Sequence, residues 1–499
     1  MRPSAPNPPA GVQWLTRRAR LSPRRPALIW EDRVWTFADL ERAVLSAAST
    51  MASAARPAQP VAILAANTPT FVCALHAISH LGAVAVPLNT RLRHEEIAWQ
   101  LRDADAVTLV HDEPNAPRAQ RLANEIPRLR LLALAHPTLG GPRHHPWPQG
   151  PGPDLTSAHS IVYTSGTSGR PKGALLTYGN HLWSALASAL RLGLREDDRW
   201  LACLPLFHIG GMAILLRSVI YGIPVVLHPS FEAASVCRAI DTQGVTIVSL
   251  VPTTLGRLLH QRGDKPWPSH LRCLLVGGGP IPPPLWEECR RRGWPVAPTY
   301  GLTEAASQVA TLSPAEAAHK PGSVGTPLFF TDLLIVDEAG RQRPANRPGE
   351  ILIRGPTISP GYIHGPTLGA HDWFRTGDLG YLDEDGYLYV LDRRDDLIVT
   401  GGENVYPAEV ENVLLSHPHV LEAAVFGLPD PEWGQRVAAA VTLRPGASVA
   451  ADDLTAFCRA RIAAYKVPKE VRLVAELPRN AAGKPLRRRL SEAWASGSL

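Results

Sequence analysis

Short apolar runs alternate with longer amphipathic stretches from Pro26 to about Val110, and again from Ser160 to about Thr299. Short continuous apolar runs between helical stretches are typical of parallel strands covered on both faces. The predicted strands are Val61–Ala65, Ala83–Pro87, Ala106–His111, Ser160–Tyr163, Trp200–Leu204, Val225–Leu227, Thr246–Leu250, Leu271–Val276 and Val296–Thr299. The predicted helices are Pro69–Leu81, His94–Ala104, Tyr178–Leu194 and Pro283–Arg292. This alternation predicts an α/β fold with two doubly wound subdomains.

The pattern changes at Ser323 to short strands between glycine and proline turns, as in Glu350–Arg354. This pattern predicts a small β-barrel over about 323–391. A compact α+β unit follows, with helices at about Pro407–Leu415 and Ala451–Ala464 and strands near Ala423, Val437 and Val471. We therefore predict a large N-terminal domain, 1–392, and a small C-terminal domain, 393–499.

Composition indicates an ordinary globular protein, because 45% of the 499 residues are hydrophobic and 19% are charged. No apolar run is long enough to cross a bilayer, and the N-terminus has no apolar signal region. The six cysteines lie far apart without a C-x-x-C pair. We therefore expect a cytoplasmic protein without membrane insertion, disulfides or zinc. Scattered arginines argue against nucleic-acid binding, and the sequence leaves homo-oligomerisation open.

Lysine is scarce in this chain, and its positions indicate candidate functional residues. The net charge is +6, yet only six of the 51 basic residues are lysines. A lysine is a compact point charge on a flexible stem and does not replace arginine freely. Lys172 ends a glycine-rich stretch and Lys484 ends the loop P-R-N-A-A-G-K. We interpret both as positions where the chemistry requires lysine, with chance placement as the alternative.

The glycine-rich stretch Tyr163–Gly173 reads Y-T-S-G-T-S-G-R-P-K-G and follows a predicted strand. Glycines let the backbone approach a ligand, and consecutive N–H groups with hydroxyls form a cradle for anionic oxygens. Lys172 adds a positive charge, although the spacing is not that of a Walker A loop. A mobile surface loop is the alternative, which the ending P-K-G disfavours. The predicted phosphate-binding residues are Thr164, Ser165, Gly166, Thr167, Ser168, Gly169 and Lys172.

Two further motifs follow predicted strands and should meet this loop, because ligands bind at the carboxyl ends of strands in doubly wound sheets. One is Gly277–Gly279; the other is Y-G-L-T-E, Tyr300–Glu304, which includes Gly301. Mg²⁺ prefers a carboxylate together with phosphate oxygens, which makes Glu304 the candidate metal ligand. Tyr300 can stack on a purine, and Thr303 can donate to a phosphate.

A third motif, F-R-T-G-D at Phe374–Asp378, is expected to place a carboxylate in a turn. The Asp378 carboxylate can accept both ribose hydroxyls, although capping of the turn is the commoner role of such an aspartate. Downstream, D-R-R-D-D at Asp392–Asp396 is either a solvated charge run or part of the same site. G-G-E-N-V-Y-P-A-E at Gly401–Glu409 is a glycine turn that leads into a helix beginning with proline.

Together, in this order and over most of the chain, these motifs resemble those of the acyl-adenylate-forming superfamily of acyl-CoA synthetases, adenylation domains and luciferases. The resemblance implies an ATP-dependent acid–CoA ligase that uses ATP, CoA and Mg²⁺, and a mobile C-terminal domain. It also implies individual roles: ribose binding for Arg393, the hinge for Asp395, the CoA channel for Gly401 and Gly402, and the adenylation lysine for Lys484.

Further blocks, at Asn180–Leu190, Ser218–Gly222, Leu274–Pro280 and Leu391–Glu411, resemble the branch of the family that acts on an aromatic diacid. Ala305 and Gly210 depart from residues common in the family. The candidate acid-binding residues are His208, Gly279, Ser307 and Gln308, with Arg217 as a candidate for the second carboxylate. A core histidine and a surface arginine are the alternatives. Another aryl or fatty acid, a carrier-protein acceptor and a non-catalytic adenylate-binding protein also stay open.

Overall fold

The computed structural model describes residues 12–135, 137, 153–164, 171–317, 319–369, 371–393, 396–400, 403–430, 433–462, 464–479 and 485–496. Its helices are α1 (Trp14–Leu21), α2 (Phe37–Met51), α3 (Pro69–His80), α4 (His94–Asp103), α5 (Ala116–Glu125), α6 (Tyr178–Leu192), α7 (Ile209–Tyr221), α8 (Ala233–Thr242), α9 (Pro252–Arg262), α10 (Pro283–Arg291), α11 (Pro407–Leu415), α12 (Ala451–Arg459) and α13 (Arg487–Ala495).

The strands of the first half are β1 (Pro26–Trp30), β2 (Arg33–Thr36), β3 (Pro60–Leu64), β4 (Val84–Pro87), β5 (Thr108–His111), β6 (Arg130–Ala133), β7 (Ala158–Thr164), β8 (Lys172–Thr177), β9 (Trp200–Ala202), β10 (Val225–Leu227) and β11 (Ile247–Leu250). Those of the second half are β12 (Cys273–Val276), β13 (Val296–Leu302), β14 (Ser307–Thr311), β15 (Thr326–Pro327), β16 (Asp332–Val336), β17 (Gly349–Arg354), β18 (Gly361–Tyr362), β19 (Phe374–Leu382), β20 (Leu388–Arg393), β21 (Ile398–Thr400), β22 (Glu403–Val405), β23 (Val420–Asp430), β24 (Gly434–Leu443) and β25 (Glu470–Leu473).

Two large sheets confirm the predicted pair of α/β subdomains. One has the order β15-β14-β13-β12-β11-β9-β10-β1-β2, and the other β18-β8-β7-β4-β3-β5-β6. The central neighbours in both sheets are parallel. Their strands carry continuous buried runs because helices cover both faces, as the apolar pattern predicted.

The chain between the glycine loop and α6 forms a strand that was not among the predicted elements. Lys172–Thr177 forms a strand, β8, which pairs antiparallel with β7 so that Thr164 lies opposite Lys172. The glycine loop is therefore the connection of a hairpin, and the lysine begins its second strand. Helix α6 starts directly after β8, with a reciprocal cap in which Thr177 and Asn180 exchange backbone-to-side-chain hydrogen bonds.

The predicted β-barrel is assembled from two sheets rather than from 323–391 alone. An antiparallel sheet of order β16-β17-β19-β20 packs against β13 and β14, which belong to the nine-stranded sheet. The shared core contains Tyr300, Val309 and Ala310 from those two strands with Ile335 and Ile351 from the small sheet. This packing carries the end of β13 into contact with the small β-sheet.

The C-terminal region is an α+β unit, as predicted. Its sheet has the order β22-β21-β24-β23, and β25 pairs in parallel with β24 along the edge opposite β23. One core, including Val410, Leu414 and Val425, lies between this sheet and α11; a second, including Leu490 and Trp494, lies under α13. No described helix has both the length and the apolar character needed to cross a bilayer.

Three buried histidines lie together between α3, β7 and α6. His159 and His181 have ring centroids 4.6 Å apart, and their Nε2 atoms lie 2.9 Å from Ser79 Oγ and 3.0 Å from Ser160 Oγ. Burial lowers the pKa of His76 to about 4 and, with the charge of Arg217, that of His181 to about 3. Burial also lowers the pKa of His159. All three are therefore neutral in the folded protein at pH 7.

This cluster predicts acid-sensitive stability. Because the pKa of each histidine is lower in the folded state than in the unfolded chain, the unfolded chain binds more protons as the pH falls below about 6.5. The free energy of unfolding should be constant for these groups above that pH, and should then decrease by up to ~1.4 kcal/mol per pH unit for each histidine. Urea unfolding at pH 7.5, 6.5 and 5.5 measures this slope.

The variant His181→Gln keeps a side chain able to hydrogen-bond Ser160. Because it removes one titrating group, the slope of the free energy of unfolding against pH should decrease by the contribution of about one proton. The control His260→Gln changes an exposed histidine at the end of α9 and should leave the slope unchanged. Equal slopes for the His181→Gln protein and the unmodified protein would contradict this account.

Candidate active site

Lys172 occupies the start of β8 with its side chain exposed. Its Nζ lies 5.4 Å from the centroid of the Tyr362 ring, and both residues line a cavity of about 650 Å³. Three other lysines pair with carboxylates: Lys265 with Asp241, Lys320 with Asp383 and Asp385, and Lys466 with Glu409. Within the described part of the chain, Lys172 has no such partner. Its charge is thus available to an anion.

Glu304 lies in a 3-10 turn, Thr303–Ala305, between β13 and β14. Glu304 is only 8% exposed, and its Oε1 accepts a 2.6 Å hydrogen bond from the hydroxyl of Tyr362. Two non-glycine residues after the turn have positive φ: Ala306 at 51° and Ser307 at 116°. Such backbone is held only where its surroundings fix it, and it clusters at functional sites.

Buried polar groups fix that backbone. Ser184 Oγ in α6 donates to the carbonyl of Ala306 at 2.7 Å, and Arg217 in α7 reaches the same Ser184 hydroxyl at 3.3 Å. Arg217 is 3% exposed, which excludes the surface alternative, and burial lowers its pKa. Gly301 contributes in a different way: a Cβ there would collide with the carbonyl of Ser307. Only glycine lets β13 and β14 approach this closely.

Asp378 lies within the long strand β19, and the expectation of a turn is wrong at this point. The backbone N–H of Asp378 donates a hydrogen bond to the Thr376 hydroxyl, and Gly377 has a φ of +72°. The turn-like motif is therefore an irregularity inside a strand. The Asp378 carboxylate accepts a 2.6 Å hydrogen bond from the Tyr300 hydroxyl. Asp378 is also the register partner of Arg393 in β20. The motifs that carry Tyr300, Asp378 and Arg393 therefore meet.

The glycines Gly277–Gly279 follow β12, whose last residue, Val276, is paired with Pro298 of β13. Gly277 packs on Thr299, where a Cβ would lie 2.8 Å from a methyl group, and Gly278 has φ of +79°. Gly278 and Gly279 are exposed. The glycines and Tyr300 thus lie at neighbouring strand ends, as the rule for doubly wound sheets predicted.

The candidate acid-binding side chains include two buried atoms that lack a hydrogen-bond partner within the described residues: His208 Nε2 and Gln308 Oε1. His208 caps the start of α7, and burial with the charge of Arg91 lowers its pKa to about 4. Gln308 in β14 donates from Nε2 to Thr311 Oγ1 at 2.8 Å. Buried polar atoms are rarely left unpaired, so both atoms are candidates to contact a ligand.

Several predicted site residues lie outside the described residues, and their roles stay predictions. They are Ser165, Gly166, Thr167, Ser168, Gly169, Asp395, Gly401, Gly402 and Lys484. Of Arg393 only the backbone is described. Thr164 ends β7, and its hydroxyl lies 3.5 Å from the carbonyl of Lys172.

The donor set around Glu304 fits Mg²⁺. The described residues contain no group of three or more His, Cys, Asp or Glu side chains able to enclose a metal ion. Mg²⁺ is usually held by one or two protein carboxylates, with substrate phosphates and water completing its shell. One buried glutamate that already accepts a hydrogen bond, close to a lysine without a carboxylate partner among the described residues, matches that requirement.

Sequence reasoning missed Tyr362, which joins Glu304 to the phosphate hairpin, the antiparallel pair β7 and β8 on either side of the glycine-rich stretch. The dipeptide Gly361-Tyr362 forms a two-residue strand that pairs with β8. A strand this short has no periodicity to detect. The signal was the sequence P-G-Y between two β segments, which by itself indicates only a turn.

Comparisons with known proteins identify the family of this chain. The AMP-binding enzyme family matches residues 15–363, and the AMP-binding enzyme C-terminal domain matches 409–484. A 2–succinylbenzoate–CoA ligase of Bacillus cereus (strain Q1) is 45% identical over 484 residues, covering 96% of this chain and 98% of that protein. One of Bacillus mycoides (strain KBAB4) is 45% identical over 483 residues, covering 96% and 97%.

Solved structures are similar along the whole chain. The o-succinylbenzoate CoA synthetase (MenE) from Bacillus subtilis in complex with the acyl-adenylate intermediate OSB-AMP has a TM-score of 0.87 at 42% identity, covering 96% of this chain and 97% of that one. The same enzyme in complex with ATP and a magnesium ion has the same TM-score and identity, covering 96% and 99%. On these matches, and on the convergence of its motifs, the chain belongs to the AMP-binding enzyme family.

Proposed function

We propose that this chain is a 2-succinylbenzoate–CoA ligase that forms 2-succinylbenzoyl-CoA, AMP and diphosphate from the acid, ATP and CoA, as a step of menaquinone biosynthesis. The observation that carries the proposal is the arrangement of Lys172, Glu304 and Asp378: the Tyr362 ring lies beside Lys172 and its hydroxyl bonds Glu304, while the hydroxyl of Tyr300, four residues before Glu304, bonds Asp378. A cation and two carboxylates in this arrangement suit a nucleoside triphosphate. The similarity to curated ligases over 96% of the chain supports the choice of acid.

In the first half-reaction, a carboxylate oxygen of the acid attacks the α-phosphorus of ATP and pyrophosphate leaves. Lys172 and the glycine loop hold the β- and γ-phosphates, while Asp378 and Arg393 hold the ribose. Glu304 holds Mg²⁺, which neutralises charge on the triphosphate when it is bound. Lys484 stabilises the charge that builds on the α-phosphate and carboxylate oxygens in the transition state.

In the second half-reaction, the CoA thiolate attacks the acyl carbon of the adenylate, and AMP leaves. The C-terminal domain turns at Asp395, which withdraws Lys484 and presents Gly401 and Gly402 to the CoA channel. One site therefore runs two reactions in sequence through a movement of the domain.

The acid lies beside β14 and the start of α7 in this proposal. His208 Nε2 and Gln308 Oε1, which have no hydrogen-bond partner in the part of the chain that the structure describes, supply polar contacts to its keto and carboxyl groups, together with Ser307 and Gly279. His208 stays neutral at pH 7 because burial lowers its pKa, so its ring presents one donor and one acceptor.

The choice of acid is tested by ATP–pyrophosphate exchange with a panel of acids. We expect exchange with 2-succinylbenzoate to exceed exchange with benzoate or a fatty acid by at least about 100-fold, because unsatisfied buried polar groups strongly disfavour analogues that lack the matching partners. Faster exchange with a benzoate or a fatty acid would make the chain a CoA ligase for that acid. No exchange with any acid would favour a non-catalytic adenylate-binding protein.

The roles of the two domains are tested by Lys484→Ala. Adenylation should fall by about 100-fold or more, as expected when a group that stabilises transition-state charge is removed. Thioester formation from supplied 2-succinylbenzoyl-adenylate and CoA should change by less than about threefold, because Lys484 is withdrawn in that step. Single-turnover assays measure each half-reaction, and an equal loss in both would refute the division of roles.

The ribose site is tested by Tyr300→Phe, which removes the hydrogen bond to Asp378 and keeps the buried ring. We expect the KM for ATP to rise about tenfold, since a hydrogen bond to a charged group is worth roughly 1.5–3 kcal/mol. The control is Tyr389→Phe, whose hydroxyl lies a long 3.5 Å from Asp383 in the small β-sheet. An unchanged KM in the Tyr300→Phe protein would show that the hydrogen bond from Tyr300 to Asp378 does not contribute to ATP binding.

A further inference from the structure

The segment Ser359–Ile363 holds Glu304 at two points. The backbone N–H of Ser359 donates to the Glu304 carbonyl at 2.7 Å, and the Tyr362 hydroxyl donates to Glu304 Oε1 at 2.6 Å. The chain just before this segment is also anchored, because Asn180 at the start of α6 donates to the carbonyls of Pro356 at 2.9 Å and Ile358 at 2.8 Å. The backbone and the carboxylate of Glu304 therefore depend on one short stretch of chain.

The same segment pairs with β8, the second strand of the phosphate hairpin. Gly361 and Tyr362 pair with Leu175 and Ala174 of β8, and the N–H of Ile363 donates to the Gly173 carbonyl at 3.0 Å. The Ser359 hydroxyl, which donates to the Leu175 carbonyl at 2.6 Å, adds a further link. Because of this pairing, the Tyr362 ring lies beside the Lys172 ammonium, 5.4 Å from centroid to Nζ.

We propose that Tyr362 is a positioning residue: it sets the distance between Lys172, which binds phosphate, and the carboxylate of Glu304, which binds Mg²⁺. Its hydroxyl orients Glu304, while its ring face attracts the Lys172 cation without neutralising it as a carboxylate would. A carboxylate has about four acceptor positions, so the bond from Tyr362 to Oε1 leaves others for Mg²⁺. This proposal rests on the proposed adenylation function, and it assigns the coupling of Mg²⁺ and triphosphate binding to one side chain.

The first test is equilibrium binding of ATP to the full-length chain by calorimetry, with and without Mg²⁺ and without any acid. In the variant Tyr362→Phe the ring stays and the hydrogen bond to Glu304 is lost. We expect the affinity for Mg²⁺-ATP to fall about tenfold, the size typical of one hydrogen bond to a charged group. Affinity for Mg²⁺-free ATP should change by less than about twofold, because the contact between Lys172 and the ring is kept.

The variant Tyr362→Leu also removes the ring, and it should weaken binding of Mg²⁺-free ATP as well. A matched control exists at Tyr387, whose hydroxyl donates to Glu316 at 3.1 Å and whose ring lies 4.6 Å from Lys320 Nζ. Tyr387→Phe removes a tyrosine–glutamate hydrogen bond next to a lysine, away from the phosphate hairpin, and should leave both affinities unchanged. Thermal unfolding of each variant separates loss of stability from loss of binding.

A double-mutant cycle with Glu304→Gln decides the outcome even if one variant is less stable. When Glu304 no longer carries a charge for Mg²⁺, Tyr362→Phe should have little further effect on Mg²⁺-ATP affinity. Additive effects, or an equal loss of affinity for ATP with and without Mg²⁺, would overturn the proposal. If the unmodified protein failed to bind Mg²⁺-ATP at all, the proposed function would fail first, so the two failures are distinguishable.

Discussion

Two buried carboxylates, each bound by a tyrosine hydroxyl, set the main constraint on this structure. Glu304 and Asp378 are 8% and 9% exposed. A carboxylate removed from water costs several kcal/mol unless hydrogen bonds replace its hydration. Tyr362 of the seven-stranded sheet and Tyr300 of the nine-stranded sheet provide such bonds. Asp378 lies in the small four-stranded sheet, so all three sheets must meet at this point.

The close approach of backbones at the same point explains its unusual local conformations. β13 and β14 are adjacent strands joined by a turn that must direct Glu304 toward Tyr362 rather than into the sheet. Gly301 permits the contact with Ser307, and positive φ at Ala306 and Ser307 redirects the chain. Ser184, which receives a hydrogen bond from Arg217, holds the Ala306 carbonyl. The strain is thus supported by buried hydrogen bonds from α6 and α7.

Arginine and lysine have different roles in this structure. Arg272 binds the buried Asp198 through two nitrogens, Nε and Nη2, a task that suits a planar fork of donors, and Arg262 bonds both carboxylate oxygens of Asp241. Lys172 instead lies exposed beside an aromatic ring. A flexible ammonium can follow a phosphate as it moves or leaves, whereas a guanidinium fixed by two bonds cannot. This difference explains why a chain that uses arginine almost everywhere retains a lysine here.

The amino-acid sequence by itself determined the α/β class, most strands and helices, and the residues of each motif, because these depend on local patterns of apolar residues and glycines. Val225–Leu227 and Pro407–Leu415 were predicted to the residue. Only the tertiary structure decided that Lys172 begins a hairpin strand, that Asp378 lies within a strand, and that Tyr362 joins Lys172 to Glu304. Those features depend on pairing between segments up to 190 positions apart in the chain, such as Lys172 with Tyr362, where local periodicity carries no information.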